Sequence, residues 1–223
     1  MRDMTAPTDP VVEQRLGDFF EALASEQPVP GGGAAAAVSA ALASSLTAMV
    51  VRLSLDRPKY ADFVDLHGEA LTASDASRIR FLELADDDAT AYAAYRAARS
   101  MPKETEAEQE AREAATRDAA RIAARVPLEV VKVCQAQVEL VDRVAGRTNL
   151  YVASDLEVAA LLLDSAARAA AANVRVNLPS IADEGYASAV TAELDQRLQQ
   201  IQSTADRARE RVARGTLRRP EGD

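Results

Sequence analysis

The sequence predicts an all-α protein, a single antiparallel bundle of about six helices that pairs as a homodimer. Three observations carry this expectation. Apolar residues recur at three- and four-residue spacing along most of the chain. Thr105 and Ser154 each stand three residues before a glutamate, the reciprocal signature that opens helices. No segment shows the alternation, β-branched density or hairpin chemistry of paired strands.

Residues 1–8 read as a disordered start, and the helical domain is placed over 9–215. Val12, Leu16, Phe19, Phe20 and Leu23 mark one face of a first helix ending near Ser25. Pro30-Gly31-Gly32-Gly33 then opens into Ala34 to Val51, which contains no charged residue. Consecutive glycines oppose helix, whereas the alanines after them favour it, with Val38, Leu42, Leu46, Met49, Val50 and Leu53 at helical spacing. Asp56-Arg57-Pro58 ends this second helix.

A third helix is predicted over 62–99, with Leu82, Ala85, Ala89 and Tyr92 as its buried stripe and Pro102 beyond its end. The fourth runs from Thr105 towards Val144, Pro127 marking a kink or a boundary. The fifth starts at Ser154 and stops before Pro179. The sixth covers 183–214 with Val190, Leu194, Ile201 and Ala205 on one side, Gly215 as its stop and 216–223 as a flexible tail. Two helices uncharged over several turns carry more apolar surface than a small bundle hides, which is the reason for expecting a dimer.

At 223 residues the chain suits one domain, and its formal charge of −9 disfavours nucleic acid as a partner. Cys134 is the single cysteine, no secretory signal pattern is evident, and a cytoplasmic location is expected. The uncharged run after the glycines is mostly Ala, Ser, Gly and Thr, which drive insertion weakly, so it reads as a core helix and no membrane association is expected.

Several residue groups are candidates for chemistry. Asp86-Asp87-Asp88 places three carboxylates over nearly one turn of an otherwise apolar helix, so at least one should approach the core and titrate towards neutrality; a solvated acidic patch is the plain alternative. The glycine turn delivers first-turn N–H groups either to a ligand or to a simple tight turn. Lys59 and Lys103, each following a proline, could clamp an anion or merely be solvated. Asn173 and Asn177, one helical turn apart, could read a heterocycle's amide edge or satisfy helix-end carbonyls. Asn149 and Ser154-Asp155 pose the same choice, with capping sufficient for Ser154. His67 reads as a surface residue, Cys134 as a core residue, the arginines from Arg207 to Arg219 as a solvated helix end and tail, and no metal site is expected.

These landmarks resemble, in their order, the cyclodeaminase/cyclohydrolase family of folate enzymes. The resemblance rests on Pro30-Gly31-Gly32-Gly33 with its alanine helix, Asp86-x-Asp88-Ala89 with Tyr92, Pro102-Lys103, Val126-Pro127-Leu128, Asn149 with Ser154-Asp155-Leu156-x-Val158-Ala159-Ala160, and Asn173-Val174-x-x-Asn177-Leu178. It spans about 16–205. Ala34 departs from the serine that the family often carries after the glycines.

The resemblance implies a dimeric helical bundle acting on one carbon between N5 and N10 of tetrahydrofolate. It implies a tetrahydrofolate derivative as substrate and no tightly bound cofactor. Cyclodeaminase activity on 5-formiminotetrahydrofolate ranks first, with a separate formiminotransferase as possible partner. Methenyltetrahydrofolate cyclohydrolase is the alternative, and a non-catalytic dimerisation module is the remote one. Asp86, Asp88 and Lys103 are the implied catalytic residues; Gly31, Gly32, Gly33, Lys59, Asn149, Ser154, Asp155, Asn173 and Asn177 are the implied substrate-binding residues, with Arg147 a further candidate for an anion patch.

Overall fold

A computed structural model describes residues 9–220; the predicted disordered start at 1–8 lies outside them. Among the described residues there are six α-helices and no strand: α1 (Leu16–Leu23), α2 (Gly32–Arg52), α3 (Val64–Arg99), α4 (Glu106–Val144), α5 (Ser154–Asn177) and α6 (Glu184–Ala213). Short 3₁₀ turns at Pro58–Phe63, Leu150–Val152 and Leu178–Ile181 join them. α2, α3, α4 and α5 form a square of antiparallel neighbours. α2 packs on α3 and α5, α4 packs on the same two helices, and α6 lies over α4 and α5.

The helix ends follow from local chemistry. Thr105 Oγ1 accepts the Glu108 N–H at 3.2 Å while Glu108 Oε2 accepts the Thr105 N–H at 2.9 Å, so the predicted capping box opens α4. Pro127 lies inside α4, which continues through it to Val144. At α5 the expectation fails. The residue before the helix is Ala153, at φ −65° and ψ −24°, and Ser154 makes no cap. The Leu150–Val152 turn feeds helical backbone directly into α5, and Asn149 caps that turn instead, accepting the Tyr151 N–H at 3.1 Å.

α2 is the inner helix. Ala36, Ala37, Ala40, Ala41, Ala43, Ser44, Thr47 and Ala48 are all buried, and these small side chains let the α3 and α5 backbones approach closely. α2 is apolar and long enough to span a membrane by composition, and 61% of its most apolar window is buried within the bundle. Its hydroxyls return to its own carbonyls, as with Ser44 to Ala40 at 3.2 Å and Thr47 to Ala43 at 2.9 Å.

Two expectations for polar residues are corrected. His67 is 1% exposed rather than superficial. Its Nε2 lies 2.8 Å from the Arg147 carbonyl, which only accepts, so Nε2 carries the proton and ties α3 to the turn after α4. The basic C-terminal series is also not merely solvated. Asp142, 8% exposed, meets Arg211 at 2.5 Å and Arg207 at 3.5 Å, while Arg218 donates to the Asp142 and Ala145 carbonyls at 2.9 Å each. Residues 216–220, read as tail, thereby lie along the turn that ends α4, and Arg147 donates to the Arg219 carbonyl.

Enlarging a small α2 side chain should show how closely the square is packed. Ala40 is 0% exposed, and Ala40→Leu is expected to lower stability by about 1–3 kcal/mol through overpacking, read from urea unfolding followed by circular dichroism.

Candidate functional site

The site forms where the N-terminus of α2 meets α3 and α5. Gly31, extended at φ −126° and ψ −160°, precedes α2 without a side-chain cap, and its carbonyl accepts the Ala35 N–H at 3.0 Å. The Gly32, Gly33 and Ala34 amides therefore begin α2 without intrahelical acceptors.

Asp88 of α3 fills the space left by Gly33. A Cβ on Gly33 would lie 2.2 Å from Asp88 Oδ1 and 2.4 Å from its Cγ, far inside contact distance. Gly33 is helical, so it is needed here for close approach rather than for unusual backbone angles. Burial raises the Asp88 carboxyl above the ordinary Asp value, and a backbone hydrogen bond from Ala34 works in the opposite direction. Among the described residues no ion pair reaches Asp88.

The other two carboxylates of the triplet diverge by helical geometry. Asp86 Oδ1 accepts the Val11 N–H at 3.0 Å, docking the segment before α1 onto α3. Asp87 faces a groove of about 410 Å³ between α3 and α4, with Arg80 3.5 Å away. The expectation that one of the three would approach the core is met by Asp88, and the solvated reading fits Asp87.

Asn173 of α5 closes the other side, its carboxamide lying 3.6 Å from where a Gly32 Cβ would stand and donating to the Ala169 carbonyl at 3.0 Å. Asn177 commits its amide to the Ala123 and Asn173 carbonyls at 3.1 and 2.9 Å, so it ties α5 to α4. Sequence reasoning missed Tyr95 and Ser180, whose hydroxyls meet at 2.9 Å. Tyr95 stands seven residues after Asp88, two turns on, and that spacing was the available signal.

The remaining candidates stand elsewhere in the chain. Lys103 is exposed in the α3–α4 turn, past the eleven residues, about 16 Å of helix, that carry α3 from Asp88 to Arg99. Lys59, Asn149, Ser154 and Asp155 lie at the opposite end of α2, about 30 Å from the glycines. Asn149 there donates its backbone N–H to the Ser54 hydroxyl at 2.8 Å and its side-chain amide to the Leu53 carbonyl at 3.3 Å, while Lys59 lies over the Tyr60 ring at 5.7 Å. Arg147 is buried at that end and donates to the Arg143 and Arg219 carbonyls.

The family whose sequence model matches residues 15–196 is described as formiminotransferase-cyclodeaminase. The chain belongs to this family. A methenyltetrahydrofolate cyclohydrolase from Methylorubrum extorquens is 35% identical over 199 residues, covering 89% of this chain and 96% of that protein. The formimidoyltransferase-cyclodeaminase of Sus scrofa is 27% identical over 199 residues, and the match spans only 37% of its length. A solved formiminotetrahydrofolate cyclodeaminase from Thermotoga maritima superposes with a TM-score of 0.83 at 27% identity, over 91% of this chain and 98% of that one. The formiminotransferase-cyclodeaminase family is thus a family of folate one-carbon enzymes, and its all-α fold is the one described above.

The raised Asp88 carboxyl has a signed consequence for stability. Its folded value lies above the unfolded value, so the native state binds more protons between the two, and stability falls as pH rises from about 3.8 through the raised value. Asp88→Asn is expected to flatten this slope and to make the protein more stable than wild type at pH 7. Urea unfolding between pH 4 and pH 8 measures it.

Proposed function

We propose that this chain is a methenyltetrahydrofolate cyclohydrolase in which Asp88 moves the protons. The observation that carries the activity is the cyclohydrolase relative, more similar than the cyclodeaminases reported above and matched over nearly its whole length. This reverses the order of the two readings drawn from sequence. The half-buried Asp88 carboxyl against the α2 N-terminus supports the mechanism, because a carboxyl titrating above its usual range is a better base when ionised and still an acid once protonated.

In this reading water adds its oxygen to the carbon bridging N5 and N10, and Asp88 takes the proton that water releases. The tetrahedral carbon then loses its bond to N5. Asp88 returns its proton to N5, the hydroxyl proton leaves to solvent, and 10-formyltetrahydrofolate remains. The Gly32 and Gly33 amides, which as first-turn groups of α2 lack intrahelical acceptors, offer hydrogen bonds to oxygen at that stage, and the Asn173 carboxamide stands beside Gly32.

The superposition on the Thermotoga maritima cyclodeaminase supports a second reading. There N10 attacks the carbon of the protonated amidine of 5-formiminotetrahydrofolate, Asp88 carries the N10 proton to the departing amino group, and the carbon–nitrogen bond breaks so that ammonia leaves and 5,10-methenyltetrahydrofolate remains. A separate formiminotransferase belongs to this second reading alone.

Following the methenyltetrahydrofolate absorbance band separates the two readings. Accelerated loss of the band from methenyltetrahydrofolate supports cyclohydrolase, whereas accelerated appearance from 5-formiminotetrahydrofolate, with ammonia release, replaces it with cyclodeaminase. Asp88→Asn is expected to lower kcat by about 10²–10⁴-fold. Gly33→Ala, which displaces the carboxylate without removing it, should lower kcat on the order of 10²-fold in a folded protein. Full activity in Asp88→Asn would remove Asp88 from the mechanism.

A further inference from the structure

Beyond Asp88 the α3 helix is lightly held. It runs on to Arg99, and of these last residues only Ala91 and Ala98 are buried. Tyr92, Ala93, Ala94, Arg96 and Ala97 are exposed. Tyr95 is half-buried, packs against the core and brings its hydroxyl to 2.9 Å from Ser180 Oγ. At 3.6 residues per turn it lies two turns from Asp88 on the same face of α3, and the backward tilt of helical side chains leans it towards the Asp88 turn.

Ser180 stands on firmer ground. It belongs to the Leu178–Ile181 turn, whose Leu178 and Ile181 are buried and which packs on α4, α5 and α6. That turn continues directly from Asn177, whose amide is committed to the Ala123 and Asn173 carbonyls. Asn173 in turn stands beside Gly32. The start of α2, the end of α3, the 3₁₀ turn and the end of α5 thus form a closed circuit around the site, and the Tyr95–Ser180 hydroxyl pair is the link from α3 to the turn.

The tolerance at Asp88 is small. Its carboxylate fills the volume that a Gly33 Cβ would take, and it accepts a backbone hydrogen bond from Ala34. A shift of α3 by a fraction of an ångström therefore presses the carboxylate into the start of α2 or draws it off the Ala34 amide. A reacting group misplaced by about 1 Å can lose on the order of 10²-fold in rate. Apolar packing alone sets such a register loosely, whereas a hydrogen bond holds its two partners at a narrow range of separations.

We propose that Tyr95 is a positioning residue for Asp88: its hydroxyl pair with Ser180 fixes α3 against the turn after α5 and so sets the register of the carboxylate at the α2 N-terminus. The effect on turnover rests on the proton-carrying role given to Asp88 above; the positioning itself does not.

Tyr95→Phe keeps the ring and removes the link. It should lower kcat about tenfold with KM little changed, because the reacting carboxyl moves while the substrate's contacts stay. Ser180→Ala should do the same, and the double variant should lose no more than either single one, since all three break one bond. Full turnover in Tyr95→Phe, or additive losses in the double variant, overturns the proposal.

A second readout needs no activity. Urea unfolding between pH 4 and pH 8 reports the raised Asp88 carboxyl through the slope that Asp88→Asn flattens. A carboxylate drawn from its seat is hydrated and returns towards ordinary acidity, so Tyr95→Phe should flatten the same slope and should change it no further in the Asp88→Asn background. The other charges near the site are occupied elsewhere. α2 has no titratable side chain before Arg52, Asp86 and Asp87 are turned to the Val11 amide and Arg80, and on α5 Arg168 and Arg175 pair with Asp164 and Asp195. A tyrosine that only stabilises the fold lowers stability equally at every pH, and that result overturns the positioning, as does a wild type whose slope Asp88→Asn leaves unchanged. A wild type inactive on both folates instead refutes the folate reading and leaves the slope to decide the positioning.

Discussion

The close seating of α2 between α3 and α5 is the constraint on which the rest of the molecule depends. Buried alanines, serine and threonine replace the larger side chains usual in a core, so helix axes approach until backbone and Cβ atoms meet. At the N-terminus of α2 the same requirement reaches its limit. Even a methyl group is too large at Gly33, because Asp88 occupies that volume. Packing economy along the helix and placement of a carboxylate at its end are one arrangement.

In the proposed mechanism that arrangement sets stability against function at a single residue. A carboxylate in partial burial, with no ion-pair partner among the described residues, costs the fold free energy at neutral pH, and the Ala34 amide offsets only part of this. A surface aspartate would avoid the cost, yet it would ionise low and remain a weak base. The neighbouring carboxylates are placed differently. Asp87 stays in an open groove near Arg80, and Asp86 is committed to the Val11 amide.

Much of this was legible in the chain because helices are local. The 3.6-residue period, the Thr105–Glu108 box and the proline breaks set six elements close to their observed limits. What local pattern did not supply was the meeting of distant segments. Asp86, Asp87 and Asp88 are equivalent in sequence, and only the arrival of Gly33, 55 positions away, distinguishes Asp88. Ser154 carries a cap signature that the preceding 3₁₀ turn makes redundant. His67 sits in a polar stretch, yet the turn after α4 folds over it and supplies a carbonyl. In each case the deciding partner lies far along the chain, where periodicity carries no information.

The same distinction bears on the chemistry. Cyclohydrolase and cyclodeaminase reactions share a bridging carbon, a tetrahedral stage and one proton carried from nucleophile to leaving nitrogen. A single carboxyl with a raised pKa would serve either, so in the proposed mechanism Asp88 and its glycine seat do not by themselves select between them. Selection must come from what surrounds the carbon: whether water is admitted beside it, or N10 is held against it while an amino group leaves. Those differences belong to the open side of the cluster, towards Asn173 and the uncovered edge of α2. Proteins of both activities are similar to this chain, and a fold that carries more than one activity leaves the choice to the residues around the reacting carbon.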